Sequence, residues 1–399
     1  MVYPRLFFTQ IKYSLDYFRF GSNIVVMKRI QDSRIISDLS KKMVLLAGPR
    51  QVGKTFVAKL IAEEYKNALY LNFDNLDDRK IIQSLSWLDD VDLLVLDELH
   101  KMPEWKNYLK GFYDTKPEHV SILVTGSARL DIFNNVGDSL AGRYFLHRLL
   151  PLSPSELKQL GQPIDMDALM VRGGFPEPYL AENLIEANRW RMQYSNSMLS
   201  TDVFDFDVVH NLKAMRVIFD LLRCQVGSPV SYQSLARDAA VSHGTVKRYI
   251  EILEALFIVF RVTPYSKNIA RSLLKEPKIY FFDSGLVNGD EGARLENLVA
   301  VCLLKHVYAK VDYLAEDAAL YYLRTKDGQE VDFALVKDQM VEQIIEVKYA
   351  DQTISKSLHA FHQRYHYPAI QLVYQLRNDR MVDAIKVVRA ERFLEGLMM

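Results

Sequence analysis

The chain has 399 residues, more than one compact core usually holds, so the length predicts two or three domains. Apolar residues make up 49% and charged residues 25%, which is the balance of an ordinary globular protein. The 50 Lys and Arg residues equal the 50 Asp and Glu residues, so formal net charge gives no argument for nucleic acid. Any such argument has to come from local patches.

The sequence contains no run of 18 apolar residues, which excludes a transmembrane helix and a membrane partner. Its N-terminal segment lacks the apolar stretch and the cleavage site of a signal peptide. Both cysteines, Cys224 and Cys302, lie in helical apolar patterns and are interpreted as reduced core residues of a cytoplasmic protein. Residues 1–26 are rich in aromatic side chains. They are either a leader added by an upstream start or a short amphipathic element that docks on the body.

Short apolar segments alternate with helical ones from residue 43 onwards. Buried strands that alternate with helices are typical of a parallel sheet covered on both faces. We therefore predict an α/β domain over residues 27–152, after the N-terminal extension 1–26. Its five strands are expected at residues 43–47, 68–73, 93–96, 119–124 and 144–149.

The first of these strands is followed directly by the spacing G-x-x-x-x-G-K-T. Glycines let backbone N–H groups surround phosphates, and the helix N-terminus adds partial positive charge. Lys54 is expected to reach the β- and γ-phosphates, and Thr55 to ligate Mg²⁺. The spacing predicts ATP and magnesium as ligands of a P-loop formed by Gly48, Pro49, Arg50, Gln51, Val52, Gly53, Lys54 and Thr55.

The third predicted strand ends in two acids, Asp97 and Glu98, a Walker B pattern. Asp97 is expected to hold Mg²⁺, and Glu98 to act as the general base that polarises the attacking water. The strand over residues 68–73 falls between the P-loop helix and this strand along the chain. That strand, together with Glu98, indicates the AAA+-like class rather than the kinases and small GTPases.

Three further polar residues are candidates for the nucleotide site. Thr125 or Ser127, at the end of the fourth strand, is expected to sense the γ-phosphate, unless it is an ordinary strand-end cap. Arg143 precedes the fifth strand. It is predicted to stabilise negative charge on the nucleotide of its own chain or of a neighbouring subunit. The alternative is a salt-bridged surface arginine.

Residues 153–210 favour a helical linker or lid, interrupted at Gly173 and Gly174, where we expect a tight turn or a close backbone approach. Residues 211–285 show three helical patterns and two strand-like segments, the order of a winged helix. Positions 241 to 280 contain seven Lys and Arg residues and only three acids. This balance suits phosphate contacts along double-stranded DNA. A winged helix used only for packing, with a solvated basic face, remains the alternative.

Residues 286–399 are predicted to form a small α/β domain. Glu296 lies near the start of a helix, and Asp332 lies in a strand after a turn. Glu346 and Lys348 share one face of the next strand. This set resembles the PD-(D/E)XK nuclease core, which implies that Asp332 and Glu346 ligate Mg²⁺, Lys348 positions water and Glu296 completes the site. A solvated hairpin and a nuclease-like fold without activity remain open.

The order of motifs resembles the prokaryotic AAA+-like ATPases whose C-terminal half is catalogued as a domain of unknown function. This resemblance covers residues 28–350 and implies ATPase activity, with a winged helix and a nuclease-like fold in the second half. An ATPase that acts on DNA is the expected function. A nucleotide-controlled switch of a protein-interaction surface and a nuclease gated by nucleotide are the alternatives, and an oligomer is compatible with each. The matching stretches are residues 48–55, 97–101 with Pro103 and Trp105, 125–127, 139–143 with Leu152 and Ser153, and 173–177.

Overall fold

The computed structural model describes residues 19–20, 23–24, 28–87, 89–126, 140–200, 211–266 and 275–399. Residues 19–20 and 23–24 form a short antiparallel pair of backbone segments. The rest of the predicted N-terminal extension lies outside the described residues, as do Ser127 and two of the seven basic residues counted above, Lys267 and Arg271.

Five parallel strands form the N-terminal sheet, as predicted from the alternating pattern. Successive residues of a strand point to opposite faces, and both faces are buried here. Val44 and Leu46 pack into one apolar core, and Met43 and Leu45 pack into another on the other face. In sheet order the strands are Ala68–Asn72, Leu93–Asp97, Ser121–Thr125, Met43–Ala47 and Tyr144–Arg148.

The strand Ala68–Asn72 has a different place in the sheet from its place along the chain. This strand lies at the outer edge of the sheet, next to Leu93–Asp97. The strand that separates Leu93–Asp97 from the P-loop strand Met43–Ala47 is Ser121–Thr125. Chain order and sheet order differ because each crossover helix can carry the chain past a neighbouring strand. The helices of this region are Asp32–Leu39, Lys54–Ala62, Leu76–Ser84 and Trp105–Thr115.

Four helices follow the N-terminal sheet, and the paired glycines lie between the second and the third. A Cβ atom on Gly174 would lie 2.6 Å from the carbonyl oxygen of Leu152, and one on Gly173 would overlap the carboxylate of Asp283. The predicted close backbone approach is therefore confirmed. The helices are Pro154–Gln159, Met166–Val171, Pro176–Leu180 and Leu184–Ser200.

The next region has the predicted order of three helices and two strands. Cys224 ends the first of these helices and is exposed, so its predicted place in the core is wrong; Cys302 is buried, and both thiols are free. The exposed helix terminus explains the difference, since an apolar pattern says little about its last residue. The elements are the helices Leu212–Arg223, Tyr232–Asp238 and His243–Ala255 and the antiparallel strands Val259–Pro264 and Lys278–Phe281.

These two strands join the sheet of the C-terminal region. Val259–Pro264 pairs in parallel with Ala318–Arg324, which gives an eight-stranded mixed sheet. Residues 211–285 and 286–399 therefore share one sheet, and the two strands do not form a free-standing wing. The remaining strands are Glu330–Lys337, Met340–Lys348, Ala369–Val373, Arg380–Val382 and Ile385–Arg389.

The helix Glu291–Leu314 has 24 residues and connects the two halves of the protein. It packs on the C-terminal sheet and on the edge strand of the N-terminal sheet. Arg148 of that strand forms an ion pair with Asp312 at 2.5 Å. The other helices of the C-terminal region are Lys356–Tyr365 and Ala390–Glu395. No helix within the described residues is both long and apolar enough to cross a membrane.

Candidate functional site

The P-loop lies at the carboxyl end of the N-terminal sheet, between the strand Met43–Ala47 and the helix Lys54–Ala62. Gly48 passes so close to the chain that an added Cβ atom would overlap the carbonyl oxygen of Leu149. Gly53 has a φ of 103°, which side chains with a Cβ atom rarely adopt. Both glycines of the motif are thus required by the backbone itself.

Lys54 is buried directly beneath the P-loop. Its Nζ donates hydrogen bonds to the carbonyl oxygens of Gly48 at 3.0 Å and Pro49 at 2.7 Å. Burial lowers the pKa of Lys54 to about 8, against the opposing influence of Glu98 and Asp97. The ammonium group is therefore held where phosphates would meet it, in a place with little access to water.

Asp97 is the hub of the site and is 1% exposed. Its Oδ2 accepts a hydrogen bond from Thr55 Oγ1 at 2.9 Å and another from the hydroxyl of Tyr70. Its Oδ1 accepts from the hydroxyl of Thr125 and from the backbone N–H of Glu98. Thr125 is thus placed in the site by its bond to Asp97, while Ser127, its alternative, lies outside the described residues.

Tyr70 was missed by the sequence reasoning. It lies on the strand Ala68–Asn72, whose parallel pairing with Leu93–Asp97 brings the ring to the carboxylate. A tyrosine in an apolar strand carries no signal of such a role. The pairing that creates the contact is a property of the sheet and not of the local sequence.

Glu98 follows Asp97 in a left-handed turn with a φ of 55°. Burial raises the pKa of its carboxyl, and Lys54 opposes that shift. His100 Nε2 lies 3.6 Å and Lys101 Nζ 3.8 Å from Glu98 Oε2. The turn and these two neighbours hold the Glu98 carboxylate beside the P-loop lysine, at the end of the strand Leu93–Asp97.

The residues present fit a magnesium ion next to a bound nucleotide. Thr55 supplies a hydroxyl and Asp97 a carboxylate, and both are oxygen ligands that Mg²⁺ prefers. The two oxygens already meet at 2.9 Å, at the start of the helix where the phosphates are expected. The predicted ATP-site residues at positions 48–55, with Asp97 and Glu98, are therefore all brought to one edge of the sheet.

Arg143 does not belong to this edge. It precedes the strand Tyr144–Arg148, whose first residue pairs with Met43 at the amino end of the sheet. Its guanidinium binds both carboxylate oxygens of Asp114, at 2.8 and 3.0 Å. A contact between Arg143 and the nucleotide of its own chain is therefore wrong, because the strand length separates the two ends; a contact with a neighbouring subunit stays a prediction.

A second group of titratable residues lies in the C-terminal sheet, where sequence reasoning placed a nuclease-like site. Lys278, which is 0% exposed, lies at its centre. Its Nζ is 2.8 Å from Glu330 Oε1, 3.2 Å from Asp332 Oδ1 and 3.3 Å from Glu296 Oε1. Glu296, Glu330, Asp332 and Glu346 are called the carboxylate cluster below.

Glu346 and Lys348 lie beside these contacts. Phe333 pairs with Ile345, which sets Asp332 across from Glu346 on the neighbouring strand. Lys348 Nζ is 2.9 Å from Glu346 Oε1. Burial raises the pKa of Glu346 to about 7, and the charge of Asp332 adds to that shift. The four predicted residues do converge, together with Lys278 and Glu330, which the sequence reasoning missed.

The predicted magnesium ligation by Glu296, Asp332 and Glu346 does not fit this arrangement. The ammonium group of Lys278 already lies among the oxygens of the first two. Within the described part of the chain, no group of three or more His, Cys, Asp or Glu side chains is arranged to hold a metal ion. Lys278 and Tyr280 are two residues apart and therefore lie on one face of their strand. That spacing was the sequence signal that could have placed Lys278 beside the carboxylates.

The basic residues at positions 241–280 are not all exposed. Lys247 and Arg248 are exposed on the helix His243–Ala255. Arg261 is bound to Glu254 at 2.6 Å, and Lys278 is buried. The exposed basic surface of this region is therefore smaller than the sequence count indicated.

Three family models match the chain in succession. A model described as an AAA domain matches residues 40–158, the region of the P-loop and the parallel sheet. Two models described as domains of unknown function match residues 164–294 and 291–393. The protein therefore carries an AAA-type P-loop ATPase domain, followed by a C-terminal half that matches domains of unknown function.

Relatives and solved structures are similar over much of the chain. An uncharacterised protein of Mycobacterium tuberculosis is 28% identical over 297 residues, 73% of this chain and 66% of that protein. The Holliday junction branch migration complex subunit RuvB of Prosthecochloris aestuarii is 25% identical over 291 residues, 62% of this chain and 82% of that protein. The Walker-type ATPase of Pyrococcus abyssi has a TM-score of 0.43 at 14% identity, covering 66% of this chain and 95% of that chain.

Proposed function

We propose that this protein binds ATP with Mg²⁺ and hydrolyses it. The observation that carries the proposal is the meeting of Lys54, Thr55, Asp97 and Glu98 at the carboxyl edge of one parallel sheet, with Thr55 Oγ1 2.9 Å from Asp97 Oδ2. Ligands of open α/β sheets bind at this edge.

Each residue has one task in this proposal. The P-loop N–H groups and Lys54 hold the phosphates. Thr55 and Asp97 would hold Mg²⁺, which neutralises charge on the phosphates when it is bound. Glu98 takes a proton from the attacking water, and its raised pKa makes it a stronger base than an exposed glutamate.

Replacing the proposed base tests the hydrolytic step. Glu98→Gln is expected to bind ATP like the wild type and to lower the rate of hydrolysis by about 10²- to 10⁴-fold, the usual contribution of a general base. Glu104→Gln is the matched control, because that glutamate is exposed and bonded to Asn107. Phosphate release and ATP binding are measured for both. Undiminished turnover in Glu98→Gln would reject the assignment.

The proposal includes an association with double-stranded DNA through the helix His243–Ala255. Lys247 and Arg248 are exposed there, and the helix follows a short turn after Tyr232–Asp238, as in helix-turn-helix proteins. The similarity to a subunit of a Holliday junction branch migration complex supports it. With Arg261 and Lys278 engaged internally, the described basic residues of the region that remain exposed for phosphate contacts are Lys247 and Arg248 on this helix and Lys275.

DNA binding is tested on the intact protein with a panel of DNA forms. The double change Lys247→Ala and Arg248→Ala is expected to weaken binding and to reduce its salt dependence, since two phosphate contacts are lost. Lys41→Ala serves as control, because this exposed lysine lies on the N-terminal domain. If no DNA form binds or stimulates ATP hydrolysis at moderate salt, the DNA association is rejected.

One observation favours a nucleotide-controlled switch as the second candidate. Arg29 donates to the carbonyl oxygen of Val52 in the P-loop at 3.0 Å and also binds Glu156, which in turn binds Lys305 of the long helix Glu291–Leu314. A buried chain of contacts thus joins the P-loop to the C-terminal half. In this alternative, ATP occupancy changes a surface of that half for a protein partner, and turnover is slow without DNA.

A further inference from the structure

Lys278 fills the centre of the carboxylate cluster with a fixed positive charge. An ammonium group has three N–H donors, and three carboxylate oxygens lie within 3.3 Å of its nitrogen. Burial acts to lower the pKa of Lys278, but Asp332, Glu296 and Glu330 more than offset it and raise the pKa above its usual value. The amine therefore stays charged although it has no exposed surface.

The lysine reaches the cluster from a different part of the chain than its partners. It begins the strand Lys278–Phe281 and pairs with Val262, while Glu296 comes from the long helix and Asp332 from a hairpin strand. Tyr280, on the same face as Lys278, donates to Glu296 Oε1 at 2.7 Å. The contacts of Lys278 and Tyr280 with Glu296 and Asp332 therefore hold residues 211–285 against residues 286–399.

The position of the ammonium group is the one that a divalent cation would need. A hard divalent cation takes six or more oxygen ligands at about 2.0–2.6 Å. An ion bound by the oxygens of Glu296 and Asp332 would lie within a few ångströms of the Lys278 nitrogen and would be repelled by it. Each oxygen of Asp332 already has a polar partner, because Oδ1 contacts Lys278 and Oδ2 accepts from the N–H of Val347 at 2.9 Å.

One carboxylate oxygen of Glu346 has no hydrogen-bond partner among the described residues. Its Oε1 contacts Lys348, while its Oε2 is buried with no hydrogen-bond partner in the described part of the protein. The side chain as a whole is only 7% exposed. An unpaired buried oxygen of this kind is available as a metal ligand once the positive charge of Lys278 is removed.

We propose that Lys278 is the resident cation of the carboxylate cluster, that the native C-terminal half binds no divalent cation there, and that removal of the amine creates a site for Mg²⁺ or Mn²⁺. The ligands would be carboxylate oxygens alone, which suits these hard cations rather than zinc or copper. The inference does not rest on ATP hydrolysis. In this proposal the carboxylate cluster and Lys278 hold residues 211–285 against residues 286–399, and they do not carry out metal-dependent cleavage.

The test uses the full-length protein without nucleotide. Binding of Mn²⁺ is measured by the loss of the electron paramagnetic resonance signal of the free ion. Lys278→Ala is expected to gain one Mn²⁺ equivalent, bound about tenfold or more tightly than any ion on the wild type, because a like charge has been removed from the site. Its midpoint of thermal unfolding should rise with Mn²⁺ concentration, while that of the wild type should not. Lys348→Ala is the matched control and is expected to gain no site, since Lys278 remains.

Three outcomes would overturn the inference. One is a folded Lys278→Ala protein that gains no Mn²⁺ site, and another is an equal gain in Lys348→Ala. The third needs no change at Lys278: a Mn²⁺ ion on the wild type that is lost in Asp332→Asn or Glu346→Gln but kept in Thr55→Ala. The Thr55 variant separates the carboxylate cluster from the ATP site, so a failure here is distinct from a failure of the proposed ATPase.

Discussion

Lys305 and Glu156 form a buried ion pair, with 2.5 Å between Nζ and Oε2, that joins the long helix of the C-terminal half to the helix Pro154–Gln159, which directly follows the N-terminal sheet. The same carboxylate is bound by Arg29, which also holds the P-loop carbonyl oxygen of Val52. Burial acts to raise the pKa of Glu156, but the two cations lower it to about 2. One ionised carboxylate therefore balances two buried cations from distant parts of the sequence.

Glu156→Gln should destabilise the protein strongly. The change leaves Arg29 and Lys305 buried without an anion, and breaking a buried pair in this way costs about 3–5 kcal/mol. Lys158→Met is the matched control, because its ion pair with Glu395 also joins the two halves but leaves Lys158 58% exposed, where such pairs contribute about 0–1 kcal/mol. Thermal unfolding of both variants is measured. Equal midpoints would contradict the role of burial.

The two P-loop glycines should differ in their tolerance of alanine. A methyl group on Gly48 would overlap the carbonyl oxygen of Leu149, whereas one on Gly53 meets nothing within 4 Å. Gly53→Ala is thus expected to cost only backbone strain, about 1–3 kcal/mol. Gly48→Ala should lower the unfolding midpoint further and abolish ATP binding, because the loop has to move. A Gly48→Ala protein with normal ATP affinity would show that the loop is not fixed by this contact.

The N-terminal sheet and the nucleotide site were predictable because their signals are local. Hydrophobic segments of strand length, a spaced glycine motif and two acids at a strand end each occupy a few consecutive residues. Asp97 and Thr55 then meet because parallel strands present their carboxyl ends at one edge. That general rule needs no knowledge of which strands are neighbours.

The parts that escaped prediction depend on pairing between distant segments. Tyr70 reaches Asp97 because its edge strand lies next to Leu93–Asp97. Lys278 reaches Asp332 because the strands near residue 260 join the C-terminal sheet. Arg143 is a different case: it precedes a parallel strand, so the rule for strand ends already places it at the amino edge, away from the nucleotide of its own chain.

Tyr70→Phe should weaken the magnesium-dependent binding of ATP without unfolding the protein. Asp97 would lose a charge-assisted hydrogen bond, the kind that contributes about 1.5–3 kcal/mol, and would be held less firmly toward Thr55. The Mg²⁺ concentration needed for half-maximal hydrolysis is expected to rise by about tenfold or more. Tyr108→Phe is the control, since its hydroxyl donates to the carbonyl oxygen of Ile82, away from the site. The same shift in both variants would rule out a specific role for Tyr70.

The affinity for ATP should fall as the pH rises above 8. Lys54 binds phosphate only in its charged form, and burial lowers its pKa from 10.5 to about 8 in the nucleotide-free protein. Below pH 8 the amine is already protonated, so affinity is flat there. Above pH 8 a proton has to be taken up on binding, so the dissociation constant approaches a tenfold rise per pH unit. Binding of ATP with Mg²⁺ is measured by calorimetry from pH 6.5 to 9.5.

A lysine-to-arginine change separates this effect from other titrations. The guanidinium of Lys54→Arg stays charged over the whole range, so any affinity that this variant retains should be independent of pH above 8. ATP itself keeps one charge state there. A wild-type profile that stays flat to pH 9.5 would mean that the amine remains charged in spite of its burial. The carboxylates of Glu98 and Asp97, which oppose the shift, would then dominate over desolvation.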